Sequence, residues 1–153
     1  MDNYDTVIFL DVDGVLNSMN TPAWMREDWD VPLARPLQNL KYIVDKTGAK
    51  IVVTSSWRKY PAALRKLEIA LMVFELPIAG RTPALPTNRP DEIQTWLNKH
   101  PEVQRYVILD DEPQAWTAEQ LNKVVPVNPS QALTAQNAQL AVLILTDDDI
   151  WTK

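Results

Sequence analysis

No cysteine occurs among the 153 residues, which excludes disulfides, thiolate nucleophiles and thiolate-held zinc. The absence fits a reducing compartment. Histidine occurs once, as His100, at the predicted end of a helix, and reads as a cap or surface residue. No apolar run approaches the ~20 residues that span a bilayer. The opening residues MDNYDTV carry neither the basic segment nor the long apolar stretch of a signal peptide. A soluble, cytoplasmic chain without a membrane partner is expected. Positive charge is also scarce: 15 Lys and Arg face 20 Asp and Glu, a formal net charge of -5. The molecule as a whole is not drawn to polyanions, so any anion must be held by a local basic patch. Repeats and low-complexity segments are missing too.

What is present suits a single folded domain over residues 1–153, with 46% hydrophobic and 23% charged residues. The apolar runs TVIFL (6–10), KIVVT (50–54), YVILD (106–110) and KVVPV (123–127) are rich in Val and Ile and too short for helices. Such runs suit strands buried on both faces of a parallel sheet. ELPIAG (75–80) is weaker and reads as an edge strand, where Pro77 is tolerated. Helical patterns lie between them. Leu37, Leu40, Ile43 and Val44 share a face of a segment from about Pro36 to Gly48. Pro61 opens a second, carrying Leu64, Leu67, Leu71 and Met72, and Pro90 opens a third with Ile93, Trp96 and Leu97. A fourth is expected over about 115–122, and Thr134 caps a fifth that runs through Leu145. Residues 146–153 read as a frayed tail. Strands alternating with helices predict a doubly wound, Rossmann-like α/β fold: a five-stranded parallel sheet with helices on both faces.

In such sheets ligands bind beyond the carboxyl ends of the strands. There the first run ends in Asp11-Val12-Asp13-Gly14, the second in Thr54-Ser55-Ser56 and YVILD in Asp110-Asp111-Glu112. A lone DVDG is as readily a turn as a site. It is no calcium loop, because Met19 and Pro22 interrupt the spacing of the downstream ligands. Two acidic clusters and a hydroxyl cluster at one sheet edge weigh against the plain turn. Crowded carboxylates repel and raise one another's pKa. A hard cation relieves that repulsion, and Mg²⁺ favours a few carboxylates together with substrate phosphate.

IFLDVDGVL, IVVTSS and VILDDE together resemble three motifs of the haloacid dehalogenase (HAD) superfamily. The stretch from Val125 to Leu145 is similar to the last strand, loop and helix of its small capless members, with Ala132 where glycine is usual. The likeness covers about residues 5–145. It implies a HAD-like fold and a phosphatase that works through an aspartyl phosphate. It assigns Asp11 as the nucleophile and Asp13 as the general acid, then base. It implies Mg²⁺ held by Asp11, by the backbone carbonyl of Asp13 and by Asp111, with Asp110 a ligand directly or through water. Thr54 would bind a phosphoryl oxygen, with Ser55 the alternative, and Gly14 lets the backbone turn beside the site.

Relatives carry a lysine before the helix that leads into YVILD. Here only Arg81 and Arg89 are available, and Arg89, directly before Pro90, is favoured, because arginine brings the same charge with bidentate reach. Its alternative is pairing with Asp91 or Glu92. Neither gap where relatives insert a cap domain is long enough for one, so an open, capless site is expected. The loop over residues 17–33 carries Trp24 and Trp29, which form a flap with stacking surfaces or fold over the core edge. Arg58, Lys59, Arg65 and Lys66 form either a substrate-binding cluster or a solvated helix face. TSSWR (54–58) resembles the second motif of capless domains predicted to act in RNA repair. That implies terminal phosphates of nucleic acid as substrate. Two alternatives stand: a nucleotide or small-metabolite phosphatase, and a non-catalytic binding module.

Overall fold

A computed structural model describes residues 4–18 and 32–152. Its strands are β1 (Thr6–Leu10), β2 (Lys50–Val53), β3 (Ile78–Arg81), β4 (Arg105–Asp110) and β5 (Val124–Pro126). The helices are α1 (Ala34–Thr47), α2 (Pro61–Val73), α3 (Arg89–Asn98), α4 (Ala118–Leu121), α5 (Ala135–Thr146) and α6 (Asp148–Trp151). All five strands run parallel in the order β3-β2-β1-β4-β5.

The alternation of side chains along each strand divides the core in two. Ile8 and Leu10 of β1 point into a cluster with Leu37, Leu40, Leu67 and Ala141, so α1, α2 and α5 cover that face. Val7 and Phe9 point the other way, against Ile93 and Trp96 of α3 and Tyr106 and Ile108 of β4. Apolar side chains on both faces explain why the strands read as unbroken apolar runs. β3 is an edge strand, as expected, and Pro77 stands directly before it.

Helix ends follow local chemistry. Gly48 closes α1 at φ 71° and its N–H donates to the carbonyl of Val44, the left-handed cap that glycine adopts without strain. Thr134 and Asn137 form a reciprocal capping box at α5. Ala132, where a glycine was expected by analogy, does take a left-handed conformation at φ 58°.

Four local readings are corrected. Met72 is exposed and Ala63 is buried, because the apolar stripe of α2 is narrower than its composition suggested. Leu64 is only partly buried. The helix expected over 115–122 is the single turn α4, set by Thr117 and Gln120. The tail does not fray: α6 follows α5, Trp151 Nε1 donates to the Ile144 carbonyl over 2.7 Å, and Lys123 Nζ lies 4.8 Å from the Trp151 ring centroid. Among the described residues there is no cap domain, and no helix is long and apolar enough to cross a membrane.

The chain winds outward from β1 through β2 to β3, then returns to place β4 on the other side of β1. The strand order reverses between β1 and β4, and open α/β sheets bind ligands in the crevice at that point.

Candidate active site

Register brings the motif residues together. Leu10 pairs with both Val53 and Leu109, so the residues after them emerge side by side. The ladder continues one step further: Asp11 N–H donates to the Leu109 carbonyl over 3.1 Å and Thr54 N–H to the Leu10 carbonyl over 2.9 Å. Asp11, Thr54 and Asp110 therefore stand on three adjacent strand ends, and all three are buried.

Beyond Asp11 the chain folds back within a few residues. Val15 N–H and Leu16 N–H both donate to the Val12 carbonyl. Gly14 takes φ 80°, and its N–H donates to Asn17 Oδ1 over 2.9 Å. The same amide donates from Nδ2 to Asp13 Oδ1 over 3.0 Å. The second Asp13 oxygen, Oδ2, accepts from Trp57 Nε1 over 3.1 Å. Asp13 is thus held by a donor on each oxygen.

Asp11, Asp110 and Asp111 each present a carboxylate oxygen, and these oxygens lie within 4.8 Å of one another. An all-oxygen set of this kind fits a hard dication. Burial pushes the Asp11 carboxyl well above the usual carboxylate range; Arg89 opposes that shift, while Asp110 and Asp111 add to it. Arg89, on the first turn of α3, reaches the same cluster. Its Nη1 lies 2.8 Å from Asp110 Oδ2 and 3.3 Å from Asp11 Oδ1. Burial works against the Arg89 charge, but Asp11 and Asp110 outweigh it and hold its pKa above the ordinary arginine value. Asp110 Oδ1 accepts from Glu112 N–H over 3.0 Å.

Two polar atoms here are buried without a hydrogen-bond partner among the described residues: Thr54 Oγ1 and Arg89 Nε. Native interiors rarely leave such groups unsatisfied, so each of these takes a partner from outside the described residues, such as water, an ion or a substrate. A mostly apolar groove of about 290 Å³ opens alongside, between Asp111, Glu112, Pro113 and Trp116 on one stretch and Leu121 and Pro126 beyond.

Arg58 does not face this site. Its guanidinium is turned inward, where Nε donates to the Thr82 carbonyl, Nη1 to the carbonyls of Thr54 and Ser55, and Nη2 to the Pro83 carbonyl and Glu92 Oε2. Its donors are spent on the frame, so the expected basic cluster does not form around it; Lys59 and Arg65 are exposed. Burial lowers the Arg58 pKa, against the pull of Glu92. Ser55 is buried, and its hydroxyl accepts from Trp57 N–H at the start of a short turn. Arg81 sends Nη1 towards the Arg58 carbonyl at 3.4 Å and makes no ion pair with the three carboxylates. His100 bonds the Trp96 carbonyl and stacks on the Trp96 ring. Trp24 and Trp29 lie outside the described residues.

Trp57 and Asn17 escaped the reading of the sequence, and Glu92, considered there as a partner of Arg89, pairs with Arg58 instead. Asn17, four residues after Asp13, was the most accessible signal, since asparagine commonly bonds the backbone of its own turn.

A family model described as HAD domain in Swiss Army Knife RNA repair proteins matches residues 7–138, a span that holds every residue of this site. Neither the curated proteins nor the solved structures include a match to the chain.

Proposed function

The chain belongs to the family of HAD domains in Swiss Army Knife RNA repair proteins, and from that premise we propose a magnesium-dependent phosphohydrolase that forms an aspartyl phosphate. The observation that carries this reading is the juxtaposition, at the strand switch point, of buried Asp11, the Arg89 guanidinium and a Thr54 hydroxyl without a hydrogen-bond partner among the described residues.

In this reading Asp11 attacks phosphorus, forming an O–P bond as the bond to the leaving oxygen breaks. Asp13 supplies the proton to that oxygen. It then takes a proton from the water that attacks phosphorus and releases Asp11 with inorganic phosphate. Thr54 Oγ1 donates to a phosphoryl oxygen, and Arg89 balances the charge that collects there. Asp11, Asp111 and the Asp13 backbone carbonyl would hold Mg²⁺, with Asp110 a ligand directly or through water. Bound there, the ion would neutralise the crowded carboxylates and the phosphate.

The family description names RNA repair, and we take terminal phosphates of RNA as the substrate class, since a site without a cap suits a phosphate on a large molecule. The groove beside Asp111 favours a second reading, in which a nucleotide or small metabolite lays its leaving group against Trp116. The deciding experiment offers an activated aryl phosphate, nucleoside monophosphates and 3′- or 5′-phosphorylated oligonucleotides, with Mg²⁺ or with EDTA. Hydrolysis that EDTA abolishes and Mg²⁺ restores is expected, with a phosphate adduct on quenched protein that Asp11→Asn removes. Full activity without divalent metal, or turnover by Asp11→Asn, would overturn the scheme.

A further inference from the structure

We propose that Trp57 is a positioning residue for the acid and base Asp13, an inference that rests on the phosphohydrolase reading above. Trp57 has 0% exposure, and its ring is part of the main core beneath the site. Its backbone is fixed twice: its N–H donates to Ser55 Oγ over 3.2 Å, and its carbonyl accepts from Tyr60 N–H over 3.3 Å. From this fixed base the indole N–H reaches across 44 positions of sequence to Asp13 Oδ2.

A buried indole N–H needs an acceptor, and a backbone carbonyl would serve the core equally well. The acceptor here is instead a half-buried carboxylate in the loop that leaves β1. Asn17 holds the other oxygen, but Asn17 belongs to the same short loop, whose Val12, Val15 and Leu16 are set in the core. Among the described residues, Trp57 is the side-chain donor to Asp13 that comes from outside this loop. One donor on each oxygen sets the plane of the carboxylate and leaves further lone pairs for the leaving oxygen and the water. Proton transfer needs that aim, because a misplacement of about 1 Å costs on the order of 10²-fold. The same turn carries Arg58, whose bond to Glu92 ties α3 to it. One short segment thus sets both Asp13 and the helix that bears Arg89.

The test compares parent, Trp57→Phe, Asp13→Asn and the double variant, after thermal melts show that each is folded. Substrates are an alkyl phosphate, whose leaving oxygen needs a proton, and an activated aryl phosphate, whose leaving oxygen does not. Trp57→Phe should lower kcat on the alkyl ester by about tenfold or more, with KM within about twofold. The burst rate with the aryl ester should stay near that of the parent, and in the Asp13→Asn background Trp57→Phe should cost nothing further. Should Trp57→Phe fail to fold, site-specific replacement by benzothienylalanine, a tryptophan shape without the N–H, makes the same comparison. Equal losses on both substrates, losses that add to those of Asp13→Asn, or no loss at all would overturn the role. A parent that hydrolyses no phosphate ester overturns the function and this role with it; an active parent matched by Trp57→Phe overturns this role alone.

Discussion

Gly14 and Asp111 are in such close contact that a methyl group on Gly14 would overlap the Asp111 carboxylate. The two residues come from different strand ends, and their approach is what brings the Asp111 carboxylate in over the loop after β1. A larger residue at position 14 could not leave Asp111 where it is.

Gly14→Ala should therefore weaken divalent-metal binding by tenfold or more, as followed by calorimetric titration with Mg²⁺ or Mn²⁺. The left-handed backbone at φ 80° adds a cost of roughly 1–2 kcal/mol for any side chain. Gly48→Ala separates the two effects. Gly48 has φ 71° but nothing within 4 Å of an added Cβ, so that variant should lose stability and keep its metal affinity. Equal metal affinities in both variants would show that the contact with Asp111 is unimportant.

Arg89→Ala should lower turnover by about 10²-fold or more, the scale at which a preorganised charge is lost from a sheltered site. Arg81→Ala should do much less, since its guanidinium meets the Arg58 carbonyl and no site carboxylate. Steady-state kinetics on one substrate ranks the two. The reverse ranking would move the counter-charge to Arg81.

These contrasts also show what could be read from residues alone. The strands were visible because both faces of the sheet are buried, which concentrates Val and Ile in short runs such as YVILD. Asp11, Thr54 and Asp110 were legible because a strand end at the switch point is a place that topology defines. Arg89 could be placed because Pro90 marks a helix start. Arg58 could not be placed in the same way. A sequence displays its charge but not Glu92, 34 positions away, nor the four carbonyls that turn it inward. Trp57 was hidden for a related reason, since an aromatic residue in an apolar context reads as core and its single N–H becomes meaningful only once Asp13 is beside it. The tail was misread because the packing of Trp151 against Tyr106 and Lys123 is tertiary.

The Arg58–Glu92 pair should behave as part of the frame. Side-chain exposure is 3% for Arg58 and 8% for Glu92 at a separation of 2.8 Å. Removing one partner from a buried pair typically costs about 3–5 kcal/mol, because the other charge is left uncompensated. Arg58→Ala and Glu92→Ala should each lose stability on that scale in denaturant titrations. The double variant Arg58→Met/Glu92→Leu should recover part of the loss, since it buries no lone charge. If Arg58→Ala instead raises KM with unchanged stability, Arg58 contacts the substrate after all.

Asp11 should set stability against function, and the sign follows from its raised pKa. A carboxyl whose pKa is higher in the folded than in the unfolded state binds protons more tightly when folded. Its stabilising contribution is complete below the unfolded value, near ~3.9, and is lost as pH rises through the folded value. Metal-free protein at neutral pH thus carries the cost of burying a carboxyl whose charged form is disfavoured there, which Arg89 only partly offsets. Asp11→Asn keeps the shape and removes that charge. Without metal at pH 7 the variant should melt a few degrees above the parent, given ~2–4 °C per kcal/mol for a chain of this size. The gap should narrow as pH falls and close below about 4, where the carboxyl becomes protonated in the unfolded chain as well. Mg²⁺ should then reverse the order, because a ligand at 100 times its Kd adds about 2.7 kcal/mol to a protein that binds it, and the variant has lost one ligand. Differential scanning calorimetry at several pH values, with EDTA and with Mg²⁺, reads all three outcomes. An Asp11→Asn protein that melts below the parent at pH 7 in EDTA would mean that the Arg89 contact outweighs burial, and that the site is held together without a cation.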